Sequence, residues 1–127
     1  MRAAAMTLPD SKRAVPQARR LIGEVCSDLG ISGSVEDDVM LASTEAVTNA
    51  VRHAYPDGHG TVDLHVDRTD GVLRVTVTDH GVGLVHGPEE DPGAGAGLEI
   101  MRKLATVHHA ETEGGGSTVT LDFALPG

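Results

Sequence analysis

The sequence predicts an α+β fold, a two-layer sandwich with a mostly antiparallel sheet and its helices on one face. Three observations support this class. Two long segments, 11–29 and 34–54, repeat apolar residues with helical spacing. Residues 62–67 and 73–78 alternate apolar and polar side chains around an Asp70-Gly71 turn. A second strand pair follows a third helix, so the predicted order, (β)-α-α-β-β-lid-α-β-β, argues against a doubly wound sheet.

The first half of the chain contributes a short strand and two helices. Residues 2–8 are expected to form the strand, and the first helix runs from Ser11 to Leu29, where Gly30 ends it. Ser34 is a suitable N-cap for the second helix, which extends to about Ala54. Its inner side is expected to carry Val35, Val39, Ala42, Ala46, Ala50 and Ala54.

The second half is predicted to hold the sheet and one more helix. After the first hairpin, periodicity is lost from His80 to about Ala94, so we expect a lid loop over about 84–96. A third helix is predicted over 96–105 and a strand over 107–112. Gly114-Gly115-Gly116 then turns the chain into a last strand, whose inward-facing residues are Val119, Leu121 and Phe123.

Composition limits the classes of protein to consider. The 127 residues predict a single domain, 1–127, and 2% aromatic residues imply an aliphatic core. A net charge of −9 argues against a nucleic-acid or anionic-membrane surface, because phosphates require Lys and Arg.

Cys26, the only cysteine, lies in an apolar helical set and is interpreted as a core residue. Without a long apolar run or signal segment, a cytoplasmic location is expected.

Glu45 and Asn49 form the first candidate site. They are four residues apart on the second helix, and Arg52 extends the same stripe. Asn is unfavourable inside a helix, so its presence suggests a purpose such as an oxygen ligand for Mg²⁺. The neighbouring carboxylate could act as a general base. The alternative interpretation is an ordinary solvated helix face.

Asp79, Gly81 and Gly83 form the second candidate site. Asp79 follows a buried strand directly, and the glycines allow a flat ring to approach the backbone. A carboxylate at a strand end can accept a hydrogen bond from an exocyclic amine such as that of adenine. An ordinary Asp-x-Gly turn is the alternative interpretation.

Gly93, Gly95 and Gly97 precede Leu98 at the start of the third helix. Backbone N–H groups at a helix start can bind phosphate oxygens. The run lacks the Lys-Ser/Thr of a P-loop and the surrounding βαβ unit of a dinucleotide site. A flexible hinge is an equally good explanation of the glycines alone. The seven histidines match no standard zinc spacing.

The order of these blocks resembles the N, G1 and G2 boxes of the GHKL ATP-binding fold. Further motifs resemble the small bacterial anti-sigma factor kinases, over roughly residues 10–124. These are Ser43-Thr44-Glu45-Ala46-Val47-Thr48-Asn49-Ala50, His53-Ala54-Tyr55, Gly97-Leu98-Glu99-Ile100-Met101 and Gly116-Ser117-Thr118-Val119.

The resemblance implies a role for each matched residue. Glu45 is the expected catalytic base, Asn49 the Mg²⁺ ligand, and Asp79 the carboxylate that reads adenine. The nucleotide is expected to lie against Gly81, Gly83, Gly95 and Gly97, with Thr118 of the last strand near the adenine. The implied cofactors are ATP and Mg²⁺. The implied partners are an anti-anti-sigma protein of the STAS fold, a sigma factor and a second copy of the chain.

One departure from the family leaves two functions open. No Lys or Arg occurs between Arg74 and Arg102, whereas Glu89, Glu90 and Asp91 lie in the predicted lid. Phosphoryl transfer generally needs positive charge on the transferred group. The leading hypothesis is a serine/threonine kinase that phosphorylates the STAS protein. The alternative is a regulatory module that binds ATP without transferring phosphate.

Overall fold

The computed structural model describes residues 2–9, 11–53, 60–81, 92–111 and 116–126, and the statements below concern these ranges. Eight elements follow the predicted order. They are β1 (Arg2–Pro9), α1 (Ala14–Leu29), α2 (Gly33–His53), β2 (Thr61–Thr69), β3 (Val72–Asp79), α3 (Pro92–Leu104), β4 (Thr106–Glu111) and β5 (Ser117–Ala124). The fold class predicted from the sequence is therefore confirmed.

The sheet has five strands in the order β1-β2-β3-β5-β4, and every neighbouring pair is antiparallel. The β2–β3 hairpin closes at Asp70-Gly71, as predicted, with Asp70 at a positive φ of 53°. The register places Asp79 opposite Ser117 and Thr78 opposite Thr118. The last residue of β3 thus lies beside the first residue of β5.

One face of the sheet is buried under the helices. Residues alternate between buried and more exposed along β2 and β3, and α2 packs against α1, α3 and the central strands. Among the described residues, the core is aliphatic apart from Cys26, Met101 and Phe123, as the composition predicts. Cys26 is buried in this core, and burial raises the pKa of its thiol.

The helix ends show why the predicted bounds needed small changes. Gly30 adopts the left-handed conformation with a φ of 71°, and bonds from the Gly30 and Ile31 N–H groups to the last turn end α1 as expected. Residues 11–13 form a turn instead of helix, because the Ser11 oxygen atoms accept from the Arg13 and Ala14 N–H groups. Within the described ranges, no helix is long and apolar enough to cross a membrane.

The start of α3 corrects the predicted lid. The helix begins at Pro92, so residues 92–96 belong to α3 and not to a loop, while 82–91 lie outside the described residues. Each glycine lowers helix propensity by about 1 kcal/mol, which is why the sequence pattern favoured a loop. Proline fits the first turn of a helix, and packing of α3 on α2 outweighs the weak local preference.

Candidate functional site

Helices α2 and α3 approach each other closely at Gly97. A Cβ atom on this glycine would lie 2.9 Å from Glu45 Oε2 and 3.5 Å from Asn49 Oδ1. Gly97 itself is buried, whereas Glu45 and Asn49 are half-buried. The structure therefore brings the carboxylate–amide pair of the first motif against the glycine-rich helix of the third, although about fifty residues separate them in the chain.

The local sequence of α2 explains this close packing. Its core side carries small or β-branched residues, with Val39, Ala42, Ala46 and Val47 buried. Small side chains let neighbouring helices lie near the α2 axis, while Glu45 and Asn49 project one turn apart at the edge of the buried stripe. The two polar groups thus meet α3 without being enclosed in the core.

The N-terminal end of α3 suits an anion. The first turn of α3 contains no acidic residue, and Arg102 and Lys103 lie in its last turn. The helix dipole places partial positive charge at the first turn, where unpaired N–H groups can bind phosphate oxygens. Gly97 is the sixth residue of α3, about 7.5 Å along the axis from Pro92, so the Glu45–Asn49 pair lies beside the turn that follows this anion-binding end.

Asp79 ends β3 as a buried carboxylate, with only 5% of its surface exposed. Ser117 Oγ donates a hydrogen bond to Asp79 Oδ2 over 2.7 Å, and the Gly81 N–H donates to Oδ1 over 3.2 Å. A buried carboxylate is costly unless it is hydrogen-bonded, so these two donors fix its position. Each oxygen retains a lone pair that can accept from a ligand amine.

Ser117, not Thr118, supplies the hydroxyl beside Asp79. Thr118 lies on the opposite face of the sheet, where its Oγ1 is 3.3 Å from Thr78 Oγ1. The reason is strand alternation, which also places Val119, Leu121 and Phe123 on the helix-covered face. Ser117 is two residues before Val119 in the sequence, so strand alternation alone predicts that it shares the face of the inward-facing residues.

The remaining predicted residues lie in different elements, and one of them is outside the described residues. Gly81 is described, and it contributes its N–H to Asp79. Leu98 packs at the margin of the core, and Arg52 lies exposed in the last turn of α2. Gly95 belongs to α3, whereas the prediction for Gly83 lies outside the described residues.

A polar chain on the open face of the sheet was not found from the sequence. His80 Nε2 is 3.1 Å from Asp63 Oδ2, and Thr7 Oγ1 donates to Asp63 Oδ1 over 3.0 Å. The hydrogen bond with His80 holds the pKa of Asp63 below its ordinary value. Because His80 directly follows Asp79, this chain links β1 and β2 to the segment that leaves the candidate site.

A comparison with known protein families relates this α+β domain to ATPase domains. The model of the family described as "Histidine kinase-like ATPase domain" matches residues 8–123. The chain belongs to this family. The match covers both helices of the first half, the whole β2–β3 hairpin, α3 and most of β5.

Individual relatives narrow the comparison within that family. The chain is 33% identical over 76 residues to serine-protein kinase RsbW of Halalkalibacterium halodurans, covering 60% of this chain and 46% of that protein. It is 36% identical over 67 residues to anti-sigma F factor of Clostridium acetobutylicum, covering 53% and 47%. The matched segments thus span about half the length of these relatives.

A solved structure also relates the chain to RsbW. The RsbU and RsbW domains of a Mycobacterium tuberculosis protein superimpose with a TM-score of 0.71 and 25% identity. The match covers 96% of this chain and 31% of that one. Sequence and structure therefore both relate the chain to RsbW-type proteins, as the motif resemblance implied.

Proposed function

We propose that this protein is an ATP-dependent serine/threonine kinase that phosphorylates a STAS-domain anti-anti-sigma protein. The contact of Gly97 with Glu45 and Asn49 carries the proposal. In this proposal, a general base and an oxygen ligand lie beside the second turn of α3, next to the helix end that can accept phosphate. The similarity to RsbW and anti-sigma F factor supports the choice of reaction.

In the proposed reaction, Glu45 removes the proton from a serine or threonine hydroxyl of the partner. The hydroxyl oxygen forms a bond to the γ-phosphorus of ATP. The bond between that phosphorus and the β–γ bridging oxygen breaks, and ADP leaves with its electron pair. The products are a phosphoester on the partner and ADP, while the proton passes from Glu45 to water.

Asp79 and Ser117 are proposed to recognise the base. The buried carboxylate is held by the Ser117 hydroxyl and the Gly81 N–H, so an adenine amine can donate to it without reorganisation. Guanine presents a carbonyl oxygen at the corresponding position, which a carboxylate repels. Selectivity for ATP over GTP is the expected consequence.

The donor set at Asn49 fits Mg²⁺. Among the described residues no three His, Cys, Asp or Glu side chains cluster as a metal site, so the protein would offer few ligands there. Mg²⁺ commonly takes one or two protein oxygens and completes its octahedron with phosphates and water. The Asn49 amide oxygen would hold the ion, which would neutralise phosphate charge when bound.

We further propose that the chain acts in the cytoplasm in a partner-switching system, in which it also binds a sigma factor. The acidic composition, with a net charge of −9, supports protein partners over nucleic acid. The anti-sigma F relative supports a sigma factor as one of them. A homodimer is the oligomeric state we propose.

Label transfer tests the kinase proposal directly. The purified chain is incubated with γ-labelled ATP, Mg²⁺ and each STAS-domain protein of the source organism in turn. We expect one of them to acquire label on a serine or threonine, and EDTA to abolish the transfer. Calorimetry with ATP in the presence and absence of EDTA checks the proposed role of Asn49 separately.

The lack of basic residues between Arg74 and Arg102 favours a second candidate function, a regulatory module that binds ATP without transferring phosphate. Under the kinase proposal, transfer is slow and accelerates with rising Mg²⁺, because the metal is the main counter-charge. ATP binding that changes partner affinity, with no labelled STAS protein at any Mg²⁺ concentration, would establish the second candidate instead.

A further inference from the structure

Leu41 is an unusually exposed hydrophobic residue in the middle of α2. Within the described ranges, two large hydrophobic side chains are exposed, Leu41 at 47% and Val72 at 38%. Val72 begins β3, seven residues or about 23 Å of strand from Asp79. Leu41 instead precedes Glu45 by one helical turn, so its exposed surface adjoins the candidate base.

Three residues define a continuous line on this side of α2, which we call the α2 ridge: Asp37, Leu41 and Glu45. They are spaced four residues apart, so each lies about 6 Å along the helix axis from the next. Asp37 and Leu41 are exposed, whereas Glu45 is half-buried against Gly97. The ridge thus leads from solvent to the candidate site.

We propose that the α2 ridge is the docking surface for the protein substrate and that Leu41 and Asp37 determine its specificity. This inference rests on the proposed kinase function. A protein surface that brings a hydroxyl to Glu45 also reaches the exposed turn of α2 that carries Leu41, about 6 Å away along the axis. The substrate is therefore a protein with an apolar side chain about 6 Å from the accepting hydroxyl and a Lys or Arg about 12 Å from it.

Charge and position both favour a protein as the occupant. Asp37 lies next to Glu36 and Asp38, and α2 has no basic residue before Arg52, so its first half is acidic. Acidic residues around the exposed side chain of Leu41 complement a partner surface that has an apolar centre surrounded by basic residues. The negative charge of a nucleotide disfavours its binding at the exposed part of the ridge, Asp37 and Leu41.

The test compares Leu41→Gln with Val72→Thr. Glutamine keeps the length and helix propensity of leucine but removes the apolar contact, and Val72 is the matched exposed residue far from the site. Each STAS-domain protein of the source organism is the probe, with both transfer and calorimetric affinity measured. We expect Leu41→Gln to raise the KM and the Kd for the accepting protein about tenfold, with ATP affinity unchanged. Val72→Thr should change neither.

Asp37→Lys tests the charged end of the ridge, with Asp28→Lys on α1 as the control of equal net charge. We expect Asp37→Lys alone to weaken binding at low salt and to lose this effect at high salt. A partner variant in which the facing Lys or Arg becomes Glu should restore binding to Asp37→Lys. This rescue would not occur if Asp37 only supported the helix.

The outcomes separate the ridge from the proposed kinase activity. If a STAS protein is phosphorylated but Leu41→Gln leaves its KM and Kd unchanged, the ridge proposal is wrong and the kinase proposal stands. If a STAS protein binds with Leu41-dependent affinity but is never labelled, the ridge is supported and the kinase activity is refuted. If no STAS protein binds at all, the ridge proposal is overturned.

Discussion

The two carboxylates predicted to belong to the nucleotide site are held in different ways. Asp79 is buried at a strand end, with a donor on each oxygen. Glu45 is half-buried on a helix, beside a glycine that leaves room for it. A group that recognises a fixed shape benefits from being immobile, whereas a group that exchanges protons with an incoming protein must stay accessible. Under the proposed function, base recognition is therefore expected at the sheet and phosphate transfer at the helix pair.

The largest effect is expected from Glu45→Gln, which removes the proposed general base on the helix pair. Glutamine preserves size and most hydrogen bonding but cannot accept the proton. Phosphate transfer to the STAS partner should fall about 10²–10⁴-fold, as is usual when a general base is lost. Nucleotide affinity, measured by calorimetry, should persist. Unchanged transfer would make Glu45 structural, and loss of binding would assign it to the fold or the metal.

Gly97→Ala is the companion variant for Glu45. The added Cβ would lie 2.9 Å from Glu45 Oε2, so the flexible carboxylate must move away while its chemistry remains intact. We expect a smaller loss of transfer than for Glu45→Gln. An equal loss in both variants would show that the position of Glu45 matters as much as its basicity.

Asp79→Asn is expected to weaken recognition of the adenine base. The amide loses one acceptor oxygen and brings an N–H group into a site that already receives two donors. An unsatisfied buried polar contact costs about 1–3 kcal/mol, so ATP affinity should fall about 10–100-fold. GTP affinity should change little. Ser117→Ala, which frees rather than removes the carboxylate, should give the smaller decrease. Equal losses for ATP and GTP would show that Asp79 does not read the base.

Ser43→Ala should stabilise the protein without affecting either carboxylate. The Ser43 hydroxyl is fully buried in α2 and has no hydrogen-bond partner among the described residues. Removing it eliminates a desolvation cost, so the free energy of unfolding should rise by about 1 kcal/mol. Ser27→Ala, on the exposed side of α1, is the control, because its change in stability comes from helix propensity alone. Equal Tm changes for the two variants would show that burial contributes nothing.

The smallest effect concerns the polar chain that links His80 to Asp63. The hydrogen bond with His80 lowers the pKa of Asp63 in the folded protein, so this contribution to stability is complete above the unfolded pKa of about 4. It is lost as pH falls through the lower folded pKa. Urea titrations at pH 6 and pH 3 give the free energy of unfolding that is lost on acidification. In Asp63→Asn this loss should be smaller than in the unmodified protein, by less than about 1 kcal/mol. An identical pH profile would exclude the pair as a stabilising contact.

Periodicity and turn chemistry determined the order and class of the elements. Helical spacing predicted α1 and α2, alternation predicted the β2–β3 hairpin, and Gly30 ended a helix where only a positive φ fits. These signals are local, since each depends on residues within one or two turns. The motif order also indicated the family, which the family model over residues 8–123 confirms.

Tertiary structure decided which distant groups meet. The helical start of α3 at Pro92 depends on packing against α2, since its glycines locally disfavour a helix. The contact between Gly97 and Glu45 depends on the distance between two helix axes, which no local pattern encodes. The pairing of Asp79 with Ser117 follows from the β3–β5 register. A one-residue shift of that register would have presented Thr118 instead, because successive side chains along a strand point to opposite faces.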